Sequence, residues 1–496
     1  MSKESSLSLG AIKIFISTIL SSVFNFFRII IIAHFLGPSN YGYWNLLLVI
    51  FTYSNYTNLG IIDGMNKQIP YLIGQGKVEE AKEAKNVSFW QIVVLISFFS
   101  SVLVFVTLFF LKNIEPQIRY ALLLLAILMV INQIYIVLTT LLRTEKKFGI
   151  LAKAVSIINV SSFVGIYLLL QYKSLLSFVV TGMIIGNIIT VIYIFYKSKF
   201  KFPLTFNRKL TVKLFKIGFP LVIIQVIYSL FISVDRWMIV GFLDASALGL
   251  YGLGATISTF MFGAFSVLSF TIFPSLMERF GHSEDITAAK SLMVKSNQAL
   301  VYIVSIVIPL TIIVLPLALH YLLPDYIPAL GVITLMISGV FFSALMTING
   351  NYLVSINKQS IILYIQLFTL LINVILNYLA LQRGMGIIGV ATVTLISYCI
   401  YSSLVIIFSQ KYLFSSLKTA FGNLSKLYLP YVISLSLGLK LMFSITITNN
   451  LWFDIKTTLI NIFIFSLWGV ILLFLLHKTI DLKQLLKALI PAKKTL

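Results

Sequence analysis

The chain has 496 residues, of which 59% are hydrophobic and 10% are charged, and its mean hydropathy is +1.01. Soluble domains carry about 25% charged residues, so this composition excludes a soluble globular protein and indicates an integral membrane protein. The net charge of +22 does not indicate a nucleic-acid partner, because the basic residues lie in short segments between apolar runs. The single cysteine, Cys399, excludes a disulfide framework and a cysteine-based metal site.

Apolar windows of about 20 residues, the length that crosses a hydrocarbon core of about 30 Å, recur along the whole chain. No stretch between them is long enough for a soluble domain. The pattern predicts an all-α integral membrane protein with about 14 transmembrane helices, at 12–35, 44–62, 88–111, 119–142, 151–170, 174–196, 217–243, 248–272, 295–319, 328–354, 359–381, 386–410, 424–444 and 456–477. Between the second and third helices, the mixed charges of "NKQIPYLIGQGKVEEAKEAKN" predict a short helix that is either solvated or interfacial.

The basic residues are distributed unequally over the two sides of the predicted helices. Of the 37 Lys and Arg residues, 29 fall on the side of the termini and 6 on the other side, and Arg28 and Arg236 fall within helices. The positive-inside rule therefore predicts that both termini are cytoplasmic. The segment "YKSKFKFPLTFNRKLTVKLFKIG" carries seven basic residues and no acid, which is typical of a loop beside anionic lipid.

The two halves of the chain repeat each other. "FFRIIIIAHFLGPSNYGYW" from the first helix has a counterpart in "VDRWMIVGFLDASALGLYG" from the seventh, 208 residues later. Polar residues precede each arginine at the same spacing, and steps of 4, 4 and 3 residues keep the four side chains within an arc of about 80° on an apolar helix. These two stripes are Ser17, Ser21, Asn25 and Arg28 in the first half, and Gln225, Ser229, Ser233 and Arg236 in the second.

Six helices in each half place both halves in the same orientation, so the repeats are parallel. The prediction is two parallel-repeat six-helix bundles plus two C-terminal helices. The divisions are an N-terminal bundle (1–200), a basic cytoplasmic linker (201–216), a C-terminal bundle (217–410), and two additional helices with a basic cytoplasmic tail (411–496). Duplicated bundles of this kind suit a transporter with alternating access to a cavity between the halves.

An arginine in hydrocarbon is unfavourable by about 2.5 to 3.5 kcal/mol on insertion scales, so Arg28 and Arg236 are expected to face a polar cavity. A guanidinium pair there would bind an anion, preferably phosphate, through planar bidentate hydrogen bonds. Two alternatives remain at this stage. The long side chains could reach the outer headgroups, about 10 Å away, or Arg236 could pair with its neighbour Asp235.

Four further segments carry a family resemblance. "AHFLGPSNYG", "DRWMIVGFLDASALGLYG", "LPDYIPALGVITLM" and "GMGIIGVATVTLISY" occur in order over residues 10–410. They resemble the polysaccharide flippases of the multidrug/oligosaccharidyl-lipid/polysaccharide (MOP) exporter superfamily. The resemblance implies a plasma (inner) membrane protein that moves a polyprenyl-pyrophosphate-linked oligosaccharide from the inner to the outer leaflet. It also implies membrane lipids, a polysaccharide polymerase and glycosyltransferases as partners.

The resemblance places Arg28 and Arg236 at the family's cationic cavity positions. Asp235 departs from the repeat, because its equivalent in the first half is Phe27, and we expect it to act in coupling or gating, with H⁺ or Na⁺ as the coupling ion. No other cofactor and no metal site are expected.

Other polar positions are weaker candidates. Lys153 begins the fifth helix, where a cytoplasmic position is the alternative to a cavity role. Asn373 and Asn377 share a helix face with Gln366 and could bind sugar hydroxyls or join neighbouring helices by hydrogen bonds.

Two other function classes stay open. A multidrug or cation antiporter of the same superfamily would show cavity carboxylates, and only Asp235 qualifies. A membrane polysaccharide polymerase or ligase would need a long outer loop with catalytic groups. The longest outer loop, around "FSITITNNLWFDIK", has Asp454 as its only acid. The sequence therefore favours a flippase over an enzyme.

Overall fold

The computed structural model describes the backbone of residues 3–281, 286–356, 358–414 and 417–479, and the side chains of residues 21–266, 293–356, 358–413, 422–475 and 477. Within these ranges the chain is all-α, with no strand and one short 3-10 helix at Pro324–Ala329. Its α-helices are α1 Lys3–Ser54, α2 Ile61–Gly74, α3 Val78–Phe109, α4 Pro116–Thr144, α5 Phe148–Tyr172, α6 Leu176–Ser198, α7 Arg208–Phe242, α8 Ala245–Gly281, α9 Ile286–Leu322, α10 Leu330–Ser355, α11 Gln359–Gln382, α12 Gly386–Phe414, α13 Leu417–Phe443 and α14 Leu451–Thr479.

In the described part of the chain, 13 helices are long and apolar enough to cross a membrane. This confirms the predicted fold class. The basic tail beyond residue 479 lies outside the described residues.

The first two predicted helices form a single element, α1, with a kink at Gly37. Gly37 has φ 65°, a left-handed conformation that interrupts the helix, and Pro38 then starts the next segment. The predicted second helix also ends earlier, at Ser54 rather than at residue 62. Leu59 and Gly60 both have positive φ, so the chain turns there and restarts as α2.

A short helix, α2, is present in the predicted segment, although it begins earlier, at Ile61, and the charged residues from Val78 onward belong to the start of α3. Buried side chains recur at the spacing of one helix face, at Ile61, Met65, Ile69 and Leu72. The opposite face exposes Lys67. At 14 residues the helix is too short to cross a membrane, so an amphipathic position at its edge fits both its length and its pattern.

The chain divides into two compact units, Met1–Ser233 and Val234–Leu496, and the division falls within α7. In the N-terminal unit, α4 is the most deeply buried span and packs against α3 and α6. Helices α5 and α6 also pack together closely. Gly165 and Gly182 face each other there, and a side chain at Gly186 would overlap Ser162. Small residues of this kind allow membrane helices to approach closely without a hydrophobic driving force.

In the C-terminal unit, α10 is the most deeply buried span and packs against α8, α9 and α12. The pairs α9–α10, α10–α12 and α11–α12 match the pairs α3–α4, α4–α6 and α5–α6, six helices earlier. These three pairs of equivalent helices therefore pack in the same way in the two repeats. The last two helices, α13 and α14, both pack on α9, and the Trp468 Nε1 atom donates to Ser434 Oγ at 2.9 Å between them.

Candidate functional site

The first polar stripe lies on the segment of α1 before its kink. Ser21 is buried, and its Oγ atom donates to the Val155 carbonyl on α5 at 3.2 Å. Asn25 and Arg28 are half-buried. The Asn25 Oδ1 atom has no hydrogen-bond partner among the described residues, and no described carboxylate forms an ion pair with Arg28. Two adjacent groups of the stripe are thus available to a ligand.

Two predicted positions on this side of the molecule contribute less. The side chain of Ser17 lies outside the described residues. Lys153 is exposed in the first turns of α5, on the helix that receives the Ser21 hydrogen bond. The alternative of a position at the membrane surface fits this exposure, and a cavity role for Lys153 stays a prediction.

The second stripe, on α7, is partly engaged in helix packing. Ser233 is buried and lies 2.6 Å from the Tyr53 hydroxyl of α1, and its Oγ atom donates to the Ser229 carbonyl at 2.6 Å. Ser229 is also buried, and its own hydroxyl has no partner in the described part of the chain. Gln225 is exposed. The middle of this stripe therefore holds α7 against α1, whereas its two ends, Gln225 and Arg236, are the more accessible groups.

Asp63 is a polar partner of the α7 stripe that the sequence did not single out. Its carboxylate, in the first turn of α2, is half-buried and accepts a hydrogen bond from Gln225. Burial raises the pKa of the Asp63 carboxyl above its ordinary value of 3.8, and the hydrogen bond from Gln225 opposes the rise. The sequence signal was a lone acidic residue within the otherwise apolar segment "LGIIDGM".

In the C-terminal unit, Asp235 is buried at 3% exposure. The hydroxyl of Tyr251 on α8 donates to its Oδ2 atom, and the Thr394 hydroxyl on α12 donates to the same atom at 2.9 Å. The Oδ1 atom has no partner among the described residues. Asp235 therefore joins α7, α8 and α12, and one of its oxygens remains unused.

The alternative in which Asp235 pairs with Arg236 is wrong for this structure. No ion pair joins the two side chains, and none joins Arg236 to any other described carboxylate. The reason is geometric, because adjacent side chains on a helix point about 100° apart, and the Asp235 carboxylate is directed towards Tyr251 and Thr394 through its Oδ2 atom. Arg236 is half-buried, and its Nε atom has no partner in the described residues.

Asn373 and Asn377 on α11 are both buried, and Asn373 forms an interhelical hydrogen bond of the kind that the sequence offered as an alternative. The Asn373 Nδ2 atom donates to Ser397 Oγ on α12 at 3.2 Å, and Asn377 donates to Asn373 Oδ1 at 3.0 Å. Ser397 lies one helical turn after Thr394, so this network and that of Asp235 lie on one side of α12. Polar oxygens from four helices, α7, α8, α11 and α12, are thereby gathered along α12.

The described residues contain no group of three or more His, Cys, Asp or Glu side chains that could hold a metal ion. The stripes combine arginines, amides and serine hydroxyls, which are groups that can bind an anion. Around Asp235 the chemistry is that of one carboxylate among hydroxyl and amide groups, suited to bind a proton or a hard monovalent cation.

A family model described as "Polysaccharide biosynthesis protein" matches residues 31–315, which is more than half of the chain. Comparison with curated protein sequences returns no match. Among solved structures, the lipid II flippase MurJ in an inward closed conformation is similar with a TM-score of 0.71 at 18% identity, over 92% of this chain and 98% of that one.

Two transporters share the fold at lower similarity. An inward-facing multidrug resistance MATE family transporter of the MOP superfamily matches with a TM-score of 0.64 at 14% identity, over 80% of this chain and 96% of that one. A MOP superfamily transporter from Pyrococcus furiosus, whose binding pocket is described as having reverse polarity, matches with a TM-score of 0.52 at 13% identity, over 83% of this chain and 96% of that one. The repeats, the helix pairing and the family match together show that this chain belongs to the polysaccharide biosynthesis protein family and has the fold of the MOP exporter superfamily.

Proposed function

We propose that this protein is a flippase that moves a polyprenyl-pyrophosphate-linked oligosaccharide from the inner to the outer leaflet of the plasma membrane by alternating access. The observation that carries the proposal is a half-buried guanidinium in each repeat, Arg28 and Arg236, with no ion pair to any described carboxylate. Support for the cargo class comes from the family match to polysaccharide biosynthesis proteins and from the similarity to a lipid II flippase.

The two arginines are chemically suited to a lipid pyrophosphate. A guanidinium presents a planar fork of donors that engages two phosphate oxygens together, and such charge-assisted bonds are strong where water is scarce. Beside Arg28, Asn25 adds an amide with an unpartnered oxygen, which fits a hydroxyl donor of the sugar or of the carrier. The ends of the two stripes thus offer cations for the phosphates and neutral polar groups for the remainder of the headgroup.

We propose that Asp235 couples transport to an H⁺ or Na⁺ gradient. Its Oδ2 atom is held by Tyr251 and Thr394, while its Oδ1 atom is buried without a partner among the described residues. A buried carboxylate oxygen without a donor is unfavourable, and a bound proton or a sodium ion would satisfy it. Because Asp235 and Arg236 are adjacent on α7, filling or emptying the carboxylate changes the charge next to the proposed phosphate ligand.

The test is transport in proteoliposomes that contain the purified chain and a fluorescent polyprenyl-pyrophosphate oligosaccharide, without ATP. The wild-type protein should move the lipid between leaflets. Arg28→Ala and Arg236→Ala should each lower the rate by at least about tenfold, since a charge-assisted hydrogen bond contributes about 1.5 to 3 kcal/mol. Lysine at either position should restore only part of the rate, because it keeps the charge and loses the fork.

Arg383→Ala is the matched control, because Arg383 is an exposed arginine at the end of α11. It should transport at the wild-type rate. Unchanged transport by both Arg28→Ala and Arg236→Ala, with all variants inserted and folded, would show that the arginines only anchor their helices.

A second candidate function is a cation-coupled multidrug antiporter, which the similarity to a MATE transporter and the buried Asp235 favour. The same proteoliposomes distinguish the two functions. An antiporter would accumulate a cationic dye under an ion gradient and would depend on Asp235 but not on the arginines. A flippase would leave the dye outside and depend on all three residues.

A further inference from the structure

The C-terminal unit contains a cavity of about 470 Å³ between α9, α12 and α13, and its lining includes no residue of either stripe or of the Asp235 cluster. Its volume lies in the range of ligand pockets, which is about 300 to 1,000 Å³. Its lining comes from residues within 293–302 of α9, residues 410 and 413 of α12, and residues within 423–430 of α13.

These residues fall at one end of three candidate membrane spans. Residues 293–302 lie in the first half of α9, residues 410 and 413 in the last turn of α12, and residues 423–430 in the first half of α13. With a rise of 1.5 Å per residue, Lys426 lies about 14 Å from the start of α13 and Gln410 about 6 Å from the end of α12. These are the depths of the lipid headgroups and of the first carbons of the acyl chains.

The lining is amphiphilic and positively charged. Apolar side chains alternate with the amides of Asn297, Gln298, Gln410 and Asn423, and Lys426 is the one charged side chain among the described lining residues. Lys426 is exposed and has no ion pair with a described carboxylate. Gln410 is 6% exposed, and its Oε1 atom has no hydrogen-bond partner among the described residues. The cavity therefore retains polar capacity that the described protein groups do not use.

One wall of the cavity is held by a buried hydrogen-bond network. The amides of Asn297 on α9 and Asn349 on α10 bond each other, with 2.9 Å from Asn349 Nδ2 to Asn297 Oδ1. The Ser409 hydroxyl of α12 donates to Asn349 Oδ1 at 2.8 Å. These hydrogen bonds hold α9, α10 and α12 together next to Gln410, so protein groups alone are enough to form this wall of the cavity.

We propose that this cavity is a binding site for the phosphodiester headgroup of an anionic glycerophospholipid of the leaflet at that end of the spans. Lys426 binds the phosphate as a point charge, the amides take the remaining headgroup oxygens, and Met293, Val301 and Leu427 cover the first acyl carbons. Basic pockets between transmembrane helices are a recurrent form of lipid headgroup site. The site is separate from the proposed cargo site and does not depend on the proposed transport function.

The test is the thermal unfolding of the full chain in detergent, with added phosphatidylglycerol, phosphatidylcholine or inorganic phosphate. Phosphatidylglycerol should raise the unfolding temperature, and the other two should not. Lys426→Gln should weaken the apparent affinity for phosphatidylglycerol by about fivefold, the equivalent of about 1 kcal/mol per lysine near an anionic headgroup. Lys411→Gln, which removes the same charge from an exposed residue of α12 outside the lining, should bind as the wild type.

Gln298→Trp provides a second variant, since an indole at this half-buried lining position would fill the cavity while Lys426 keeps its charge. It should lose the stabilisation by phosphatidylglycerol. Full stabilisation of both Lys426→Gln and Gln298→Trp would overturn the proposal. Equal losses in Lys426→Gln and Lys411→Gln would assign the effect to diffuse surface charge, and equal stabilisation by inorganic phosphate would assign it to a free anion. Either result also contradicts the proposed lipid site.

Discussion

At the level of single residues, the charged side chains within α1 and α7 have two different environments. Arg28 and Arg236 are half-buried without an ion pair to any described carboxylate, whereas Asp235 is buried and holds two hydroxyl donors on one oxygen. A guanidinium carries five donors and stays charged, so it remains able to bind an anion. A carboxylate can be neutralised by a proton or an ion, so it can change its state during transport.

The role of Asp235 leads to a prediction on coupling. Asp235→Asn keeps the shape of the side chain and a hydrogen-bonding oxygen for Tyr251 and Thr394 but removes the charge that binds the ion. Transport driven by an H⁺ or Na⁺ gradient should fall by at least about tenfold, which corresponds to about 1.4 kcal/mol, while binding of the lipid pyrophosphate changes little. Binding and gradient-driven transport are measured separately on the same preparation. An equal loss of both quantities would place Asp235 in cargo binding instead.

Asp63 predicts a pH dependence of stability. Its pKa is raised in the folded chain, so the stability that it contributes is fully present below its ordinary pKa of 3.8 and is lost as pH rises through the higher folded pKa. Asp63→Asn should therefore unfold at a higher temperature than the wild type at about pH 7, and the difference should shrink towards about pH 4.

Thermal unfolding in detergent at several pH values measures this difference, with Glu80→Gln as an exposed control on α3. A difference between Asp63→Asn and the wild type that does not vary with pH would exclude the titration of Asp63 as its cause.

At the scale of elements, glycines determine how the helices at the membrane edge meet. A side chain at Gly218 of α7 would overlap the backbone of Gly60, and a side chain at Gly64 of α2 would overlap the carbonyl of Leu214. Gly60 also has φ 88°, which L-residues rarely adopt. These close approaches place α2 directly against the first part of α7, and they bring Asp63 to Gln225.

This contact predicts that Gly218→Ala is destabilising, because the added methyl group must separate two backbones. Overpacking at such a site costs about 1 to 3 kcal/mol. Gly74→Ala at the end of α2 is the control, since a methyl group there meets no atom within 4 Å. The unfolding temperature in detergent should fall for Gly218→Ala and stay unchanged or rise slightly for Gly74→Ala. Equal behaviour of the two variants would show that α2 and α7 can separate without loss.

At the level of the whole molecule, the unequal distribution of Lys and Arg predicts how the protein is oriented in the membrane. The 37 basic residues exceed the 15 acidic ones, and 29 of the basic residues fall on the side of the termini. The positive-inside rule predicts that this side is cytoplasmic. The direction of the proposed transport, towards the outer leaflet, is defined by the same orientation.

A fusion experiment tests the orientation. A reporter enzyme that is active only outside the cytoplasm should be silent when it is fused after Leu496. The same reporter fused after Lys112, between α3 and α4, should be active, because this loop lies on the side with few basic residues. The reverse pattern of activity would invert the topology and the proposed direction of transport.

The fold class, the internal repeat and the positions of the two arginines within helices were all predictable from the amino-acid sequence. Hydropathy over about 20 residues identifies a spanning helix without knowledge of its neighbours, because every span must satisfy its backbone hydrogen bonds internally. The match between the two stripes is likewise a matter of spacing along one helix. Hydropathy alone predicted the wrong end for the second helix, because the positive φ of Leu59 and Gly60 separates α2 from α1.

Which polar groups form hydrogen bonds with each other depends on how the helices pack. Thr394 is 159 residues from Asp235 and Gln225 is 162 residues from Asp63, and many other hydroxyls and amides lie at similar helix positions. The packing of α12 and α2 selects these partners from that set. For the same reason, the sequence could not show whether Arg236 pairs with Asp235. A helical period states which face a side chain occupies, whereas the choice of partner depends on which helix covers that face.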